Sequence, residues 1–173
     1  LPGVTDASAL HITLGAGRLE YHADPARTAL SRPVEAPPDF DWSSAQGHYL
    51  QGKELLRDRE FVRARASFEQ ALMRDRWHLP SLGELASLYL RHGHADSAVM
   101  RAREALRVDT YDPLANYVFG VASRALGRDA DARDGLDIAS QSVELRVAAF
   151  TELSRLYLAR GEHERTVHYA DRA

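Results

Sequence analysis

Two carboxylates, Asp39 and Asp41, flank Phe40 beside Trp42, a grouping that could set a carboxylate pair next to a sugar-stacking ring. A simpler use is available: Asp41 can cap the first helix while Phe40 and Trp42 anchor the chain. Eight histidines invite a metal search. His92 and His94 straddle a turn, and His163 and His168 are five apart, so neither pair has the spacing that puts two rings on one helix face. They read as surface histidines, and no metal site is expected. Zero cysteines exclude a disulfide framework, a thiolate metal site and a Cys nucleophile. No nucleophile elbow, phosphate loop or zinc-helix motif occurs, so the expectation is a non-enzyme without a cofactor.

The elements that carry these residues are set by an internal repeat. Small residues recur every 34 positions at Ala64, Ala98, Ala132 and Thr166, and again at Ala71, Ala105, Ala139 and Ala173. Further rows at the same spacing are Gly52, Ala86, Gly120, Ser154; Gln51, Leu85, Phe119, Leu153; and Leu55, Tyr89, Ser123, Tyr157. A row of Arg59, Gly93, Gly127 and Gly161 marks a residue leaving one helix in a left-handed conformation before the next begins. Leu82, Leu85, Ala86 and Tyr89 form one helical stripe, and Ala98, Ala102, Ala105 and Leu106 form the next. The small rows let paired helices approach closely, with Phe68, Tyr89, Phe119 and Leu136 filling the gaps beside them. Asp112 before Pro113, Pro80, and Asp41 or Ser43 supply helix starts. The pattern predicts helices over 43–57, 60–75, 80–92, 95–107, 113–126, 129–141, 145–159 and 162–172.

This unit resembles the tetratricopeptide repeat, most closely in Leu85, Ala86, Tyr89, Gly93, Ala98 and Ala105, and in Phe119, Gly120, Gly127, Ala132, Leu136 and Ala139. His48, Leu82, Asn116 and Phe150 stand where the family's Trp is usual, and the closing Pro is displaced or lost. The resemblance implies an all-α fold, a helix-turn-helix repeat superhelix (a TPR-like α-solenoid) with a short N-terminal β or irregular segment. It divides the chain into 1–42 and four hairpins within 43–173, at 45–78, 79–112, 113–146 and an incomplete 147–173. It also implies that the first helix of each unit lines the concave side. The candidate groove residues are then Tyr49, Lys53, Arg57, Glu84, Ser87, Arg91, Tyr117, Val121, Arg124, Glu152 and Arg155. Aromatic and Arg groups there suit an extended peptide, or they form a solvated inner face with packed rings. The Lys and Asn pattern that some members use to clamp a peptide's C-terminal carboxylate is absent, since Tyr49, Lys53, Gly83 and Ser87 occupy its positions.

Residues 1–42 contain no such unit. Leu10 to Leu14 alternates as a strand does, Gly15 and Gly17 mark a turn, and Arg18 to Tyr21 can return. Two isolated strands are marginal in water, so this hairpin needs something to pack on. Pro25, Pro33, Pro37 and Pro38 then enforce extended or turning backbone. The junction from Arg32-Pro33 through Trp42 to Gly52 resembles large bacterial proteins in which a β-rich domain of unknown function precedes tetratricopeptide repeats. That likeness implies the end of a preceding domain at the N-terminus, a longer parent, and a link to carbohydrate handling.

Charge and composition narrow the partners. With 22 basic against 25 acidic residues the net charge is -3, so no large basic field exists to hold nucleic acid or an anionic membrane. Lys53 is the only lysine, and the Arg bias is as well explained by a GC-rich coding genome as by anion binding. No run approaches the roughly 20 apolar residues of a membrane helix, and no secretory leader opens the chain, which leaves cytoplasm as the default compartment. The chain opens on Leu1, as an excised piece would. At the other end the last packing row falls on Ala173 with no solvating helix after it. The surface around Leu156, Tyr157, Val167 and Ala170 is expected to be partly uncovered, to be met by further repeats or by a second copy in a homo-oligomer. The leading expectation is a non-catalytic scaffold that binds a peptide or, in cis, a neighbouring domain through the groove. The alternative is an accessory C-terminal region of a larger carbohydrate-handling bacterial protein.

Overall fold

The computed structural model describes residues 9–24, 37 and 39–173. The prolines at 25, 33 and 38, and positions 1–8, lie outside them. Contacts separate the chain into two compact units, Leu1–Phe40 and Asp41–Ala173.

In the first unit β1 (His11–Leu14) pairs antiparallel with β2 (Leu19–His22), with His11 opposite His22 and Leu14 opposite Leu19. Gly15, Ala16 and Gly17 all take positive φ, which turns the chain within four residues between the strands. Alternation gives the hairpin two unlike faces. Ile12, Leu14, Leu19 and Tyr21 share one, and all four are exposed. His11, Thr13, Glu20 and His22 share the other.

The second unit is an all-α solenoid. Its helices are α1 (Ala45–Arg57), α2 (Phe61–Arg74), α3 (Leu79–Arg91), α4 (Ala95–Val108), α5 (Pro113–Ala125), α6 (Asp129–Ala139), α7 (Arg146–Ala159) and α8 (His163–Ala170). Successive helices pack in pairs, and α3 also meets α5, as α5 meets α7. The odd helices therefore form one layer and the even helices the other.

Each hairpin closes by the same device. Arg59, Gly93, Gly127 and Gly161 have φ of 62°, 77°, 71° and 74°. One residue later, the backbone N–H of Glu60, His94, Arg128 and Glu162 donates back to the carbonyl of Leu55, Tyr89, Ser123 and Tyr157, at 2.8 to 3.0 Å. These acceptors are one of the 34-residue rows, so that row is a register of helix-end bonds as well as of packing.

Close packing uses paired sizes. A Cβ built on Gly52 would stand 2.5 Å from the Phe68 ring, and one on Gly120 would stand 2.7 Å from Leu136 Cγ. Phe68 and Leu136 are fully buried. In the unit between them both positions are alanine, Ala86 and Ala102, also fully buried and in one cluster. Ala64, Ala98, Ala132, Ala71, Ala105 and Ala139 are fully buried too, as the steric reading of the rows requires.

Seven of the helices start within one residue of expectation, and α1 is the exception. Asp112 caps α5, accepting from Ala115 N–H at 2.7 Å ahead of Pro113. At α1, however, the cap is Ser44, whose Oγ accepts from Gly47 N–H at 3.0 Å. Asp41 instead accepts from the backbone N–H and hydroxyl of Ser43 at 2.8 and 2.7 Å, so α1 starts at Ala45 rather than at 43. The third junction is also distinct. After α2 and α4, Asp75 and Asp109 accept from the N–H of Trp77 and Tyr111, both at 2.9 Å. Val143 stands at the next equivalent position and offers no acceptor. There α6 stops at Ala139, with Ser140 Oγ donating to the Asp137 carbonyl at 2.7 Å.

At the C-terminal end, Leu156 and Tyr157 are buried rather than uncovered. Tyr169 stacks on Tyr157 at 5.4 Å between ring centroids, and the Arg165 guanidinium lies over the same ring. The apolar side chains left exposed there are Leu158 and Val167, and Ala170 is also exposed. Ala173 lies beyond α8, so the last member of its row is not a packing residue.

Candidate functional site

The odd-helix layer gathers most of the candidate groove residues into two clusters. Helical spacing puts Tyr49 and Lys53 on one face of α1. Lys53 Nζ reaches across to α3 and donates to Glu84 Oε1 at 2.5 Å. That bond holds the ammonium above its ordinary pKa, against the opposing effect of burial. Tyr49 lies within 6.0 Å of Phe68 and 5.6 Å of His78, ring centroid to centroid, and burial raises its phenol pKa.

The second cluster spans α5 and α7. Arg124 Nη2 donates to Glu152 Oε2 at 2.7 Å, and Arg155 Nη1 donates to Glu152 Oε1 at 2.6 Å. Glu152 is 7% exposed, so its carboxylate is buried but both oxygens are paired with cations. Tyr117 is half-buried nearby; burial first, and then the Glu152 charge, push its phenol pKa up. Its ring packs on the clusters built around Val118 and Leu153, which fixes its direction. Val121 packs on the cluster that contains Leu153, and Ser87 is half-buried on α3.

Of the charged candidates, two fall outside these clusters. Arg57 pairs with Glu54 one turn back on its own helix. Arg91 places its guanidinium over the Phe61 ring of α2, 5.2 Å from the centroid, and so serves hairpin packing. Two further residues join the first cluster. His78 Nδ1 lies 2.9 Å from Ser81 Oγ and its Nε2 lies 3.2 Å from Gln46 Oε1, tying α1 to the start of α3. A neutral ring accepting from the serine and donating to the amide satisfies both contacts. Gln46 lies three residues before Tyr49 on α1, which is the signal by which its place beside the cluster could have been read.

The arrangement offers cations, carboxylates and phenols on one layer, with each carboxylate already bound by a basic group. Arg155 is the most open of the ionic members, with 62% of its side chain exposed. Asp41 is committed to Ser43, and those hydrogen bonds hold its carboxyl below the usual carboxylate range. Among the described residues no helix is long and apolar enough to cross a membrane.

No protein-family model matches the chain, and no curated relative does either. Solved structures do. A crystal structure of MamA superposes with a TM-score of 0.67 at 16% identity, covering 76% of this chain and 77% of that one. YrrB, described as a TPR protein with an unusual peptide-binding site, gives 0.63 at 18% identity, covering 76% and 68%. The first TPR of Spaghetti (RPAP3), solved bound to the HSP90 peptide SRMEEVD, gives 0.63 at 17% identity, covering 70% of this chain and 99% of that one. The helical unit thus has the tetratricopeptide-repeat fold.

Proposed function

We propose that this tetratricopeptide-repeat chain is a non-catalytic interaction scaffold whose odd-helix layer receives an extended polypeptide segment, from a partner or from elsewhere in its own polypeptide. The observation that carries the reading is the pair of clusters on that layer, Tyr49–Lys53–Glu84 and Tyr117–Arg124–Glu152–Arg155, joined across neighbouring helices. Phenols held half-buried are rigid contact surface at low entropic cost. The second cluster sets two guanidiniums against one carboxylate, which leaves a cationic surplus beside Tyr117 and favours a segment carrying a carboxylate. Peptide recognition by RPAP3 and YrrB, proteins of the same fold, supports the choice of ligand class.

The test is a displayed peptide library selected on the whole chain, with affinities then measured for Tyr49→Ala, Tyr117→Ala and Arg155→Ala. Residues central to an interface cost more than about 1 kcal/mol on truncation, so at least one variant should bind about fivefold or more weakly while its helical circular dichroism is unchanged. Selected peptides that bind all three variants as they bind the parent chain would place recognition elsewhere.

A further inference from the structure

The polar face of the hairpin holds a group that no reading of the repeats uses. His11 and His22 are direct cross-strand partners, and Glu20 lies two residues before His22 on the same face. The two imidazoles stack at 3.9 Å with 7° between their planes. Glu20 Oε2 stands 3.8 Å from His11 Nε2 and 3.6 Å from His22 Nε2, and one ligand atom from each of the three residues lies within 4.8 Å of the others. We propose that His11, Glu20 and His22 form a binding site for a divalent first-row transition-metal ion.

The donor set argues for the class of ion. Two imidazole nitrogens and one carboxylate suit zinc and its neighbours, whereas calcium and magnesium prefer oxygen alone. Metal–ligand distances of about 2.0 to 2.2 Å in a tetrahedron put the ligand atoms about 3.3 Å apart, a few tenths of an ångström inside the two carboxylate–imidazole separations, while the two imidazole donors lie within 4.8 Å of each other. Tilting the two rings out of their stack supplies that approach. The exposed face leaves the fourth position to water. Strand pairing positions the group: the tight turn at Gly15 and Gly17 sets the register, and a slip by one residue would move Glu20 and His22 to the apolar face. An ion held by both strands would in turn cross-link a two-stranded hairpin that is marginal alone.

The experiment titrates Zn2+ into the 173-residue chain by calorimetry, while histidine ring nitrogens are followed by NMR. The expected result is one ion per chain, with the ring signals of His11 and His22 shifting. Glu20→Gln keeps size and hairpin while weakening the ligand set. His22→Phe keeps a ring against His11 and removes a donor. Each should lower affinity by more than about tenfold, the loss that removing even a residue behind a ligand produces. His163→Ala should leave it unchanged. Two outcomes overturn the site: no zinc binding by the parent chain, or binding that survives Glu20→Gln and His22→Phe undiminished. Amide shifts of Tyr21 and Thr13 report whether each variant keeps the hairpin. If His22→Phe loses it, Glu20→Gln alone decides.

Discussion

Arg59 occupies the left-handed turn position that glycine fills in the other three units, at a φ of 62° against 71° to 77°. For an L-residue with a Cβ that conformation costs about 1 kcal/mol or slightly more. Arg59→Gly should therefore stabilise the helical unit by up to about 1 kcal/mol, and Gly93→Ala or Gly127→Ala should destabilise it by a similar amount, measured by urea unfolding. The buried pairs make a sharper case. Gly120→Ala should cost about 1 to 3 kcal/mol by overpacking Leu136, and Leu136→Ala should cost about 2 to 5 by opening a cavity. Combined, they should cost clearly less than the sum, because alanine at both positions is what Ala86 and Ala102 already provide. Strict additivity in the double mutant would show that the two sites do not share one space. These positions were readable from sequence because a fixed spacing exposes them without any knowledge of contacts. His11, Glu20 and His22 were not, because their meeting depends on strand register, and inspection of histidines by helical spacing passes over a cross-strand pair. The sum of paired positions, set by the turn at Gly15 to Gly17, would have revealed it.

At the scale of elements, the helices followed from periodicity and the ends from caps. Asp112-Pro113 fixed the start of α5 correctly, whereas α1 began two residues late because Asp41 found a nearer donor in Ser43 and left the cap to Ser44. The early end of α6 was legible in principle, as the loss of the junction aspartate at Val143, but a single substitution in a short loop carries little periodic signal. The link from α1 to α3 through His78 has a pH signature. Burial holds the His78 imidazole below its ordinary value of 6.5, outweighing the opposite pull of Asp75. As pH falls through that unfolded value the unfolded chain binds its proton first, so this contribution to stability is complete above it and is lost on acidification toward the lower folded pKa. The thermal midpoint of the chain should fall across that window, and His78→Gln should show a flatter profile there. An identical slope in both proteins would exclude His78 as the titrating group. Of the candidate groove residues, Tyr49, Lys53 and Glu84 meet, as do Tyr117, Arg124, Glu152 and Arg155, whereas Arg57 and Arg91 take nearer partners that a helical wheel does not display.

In the helical unit as a whole each hairpin packs chiefly against its sequence neighbours, so stability is a sum of local terms rather than the property of one central core. Such arrays open first where a repeat has least to hold it. No residue of α8 is buried, whereas the helices before it bury between two and six residues each. Native-state hydrogen exchange should find α8 amides the least protected of the helical unit and those of α3 and α5 among the most protected. Uniform protection from α1 to α8 would instead mean that the unit unfolds as one block. The junction geometry shared by Asp75 and Asp109 carries one more consequence. Because the stretch 79–112 begins and ends on equivalent backbone, a tandem duplicate of it grafted ahead of Pro113 would find matching seams on either side, so that the length of this ribbon of phenols and charges becomes adjustable in steps of one unit.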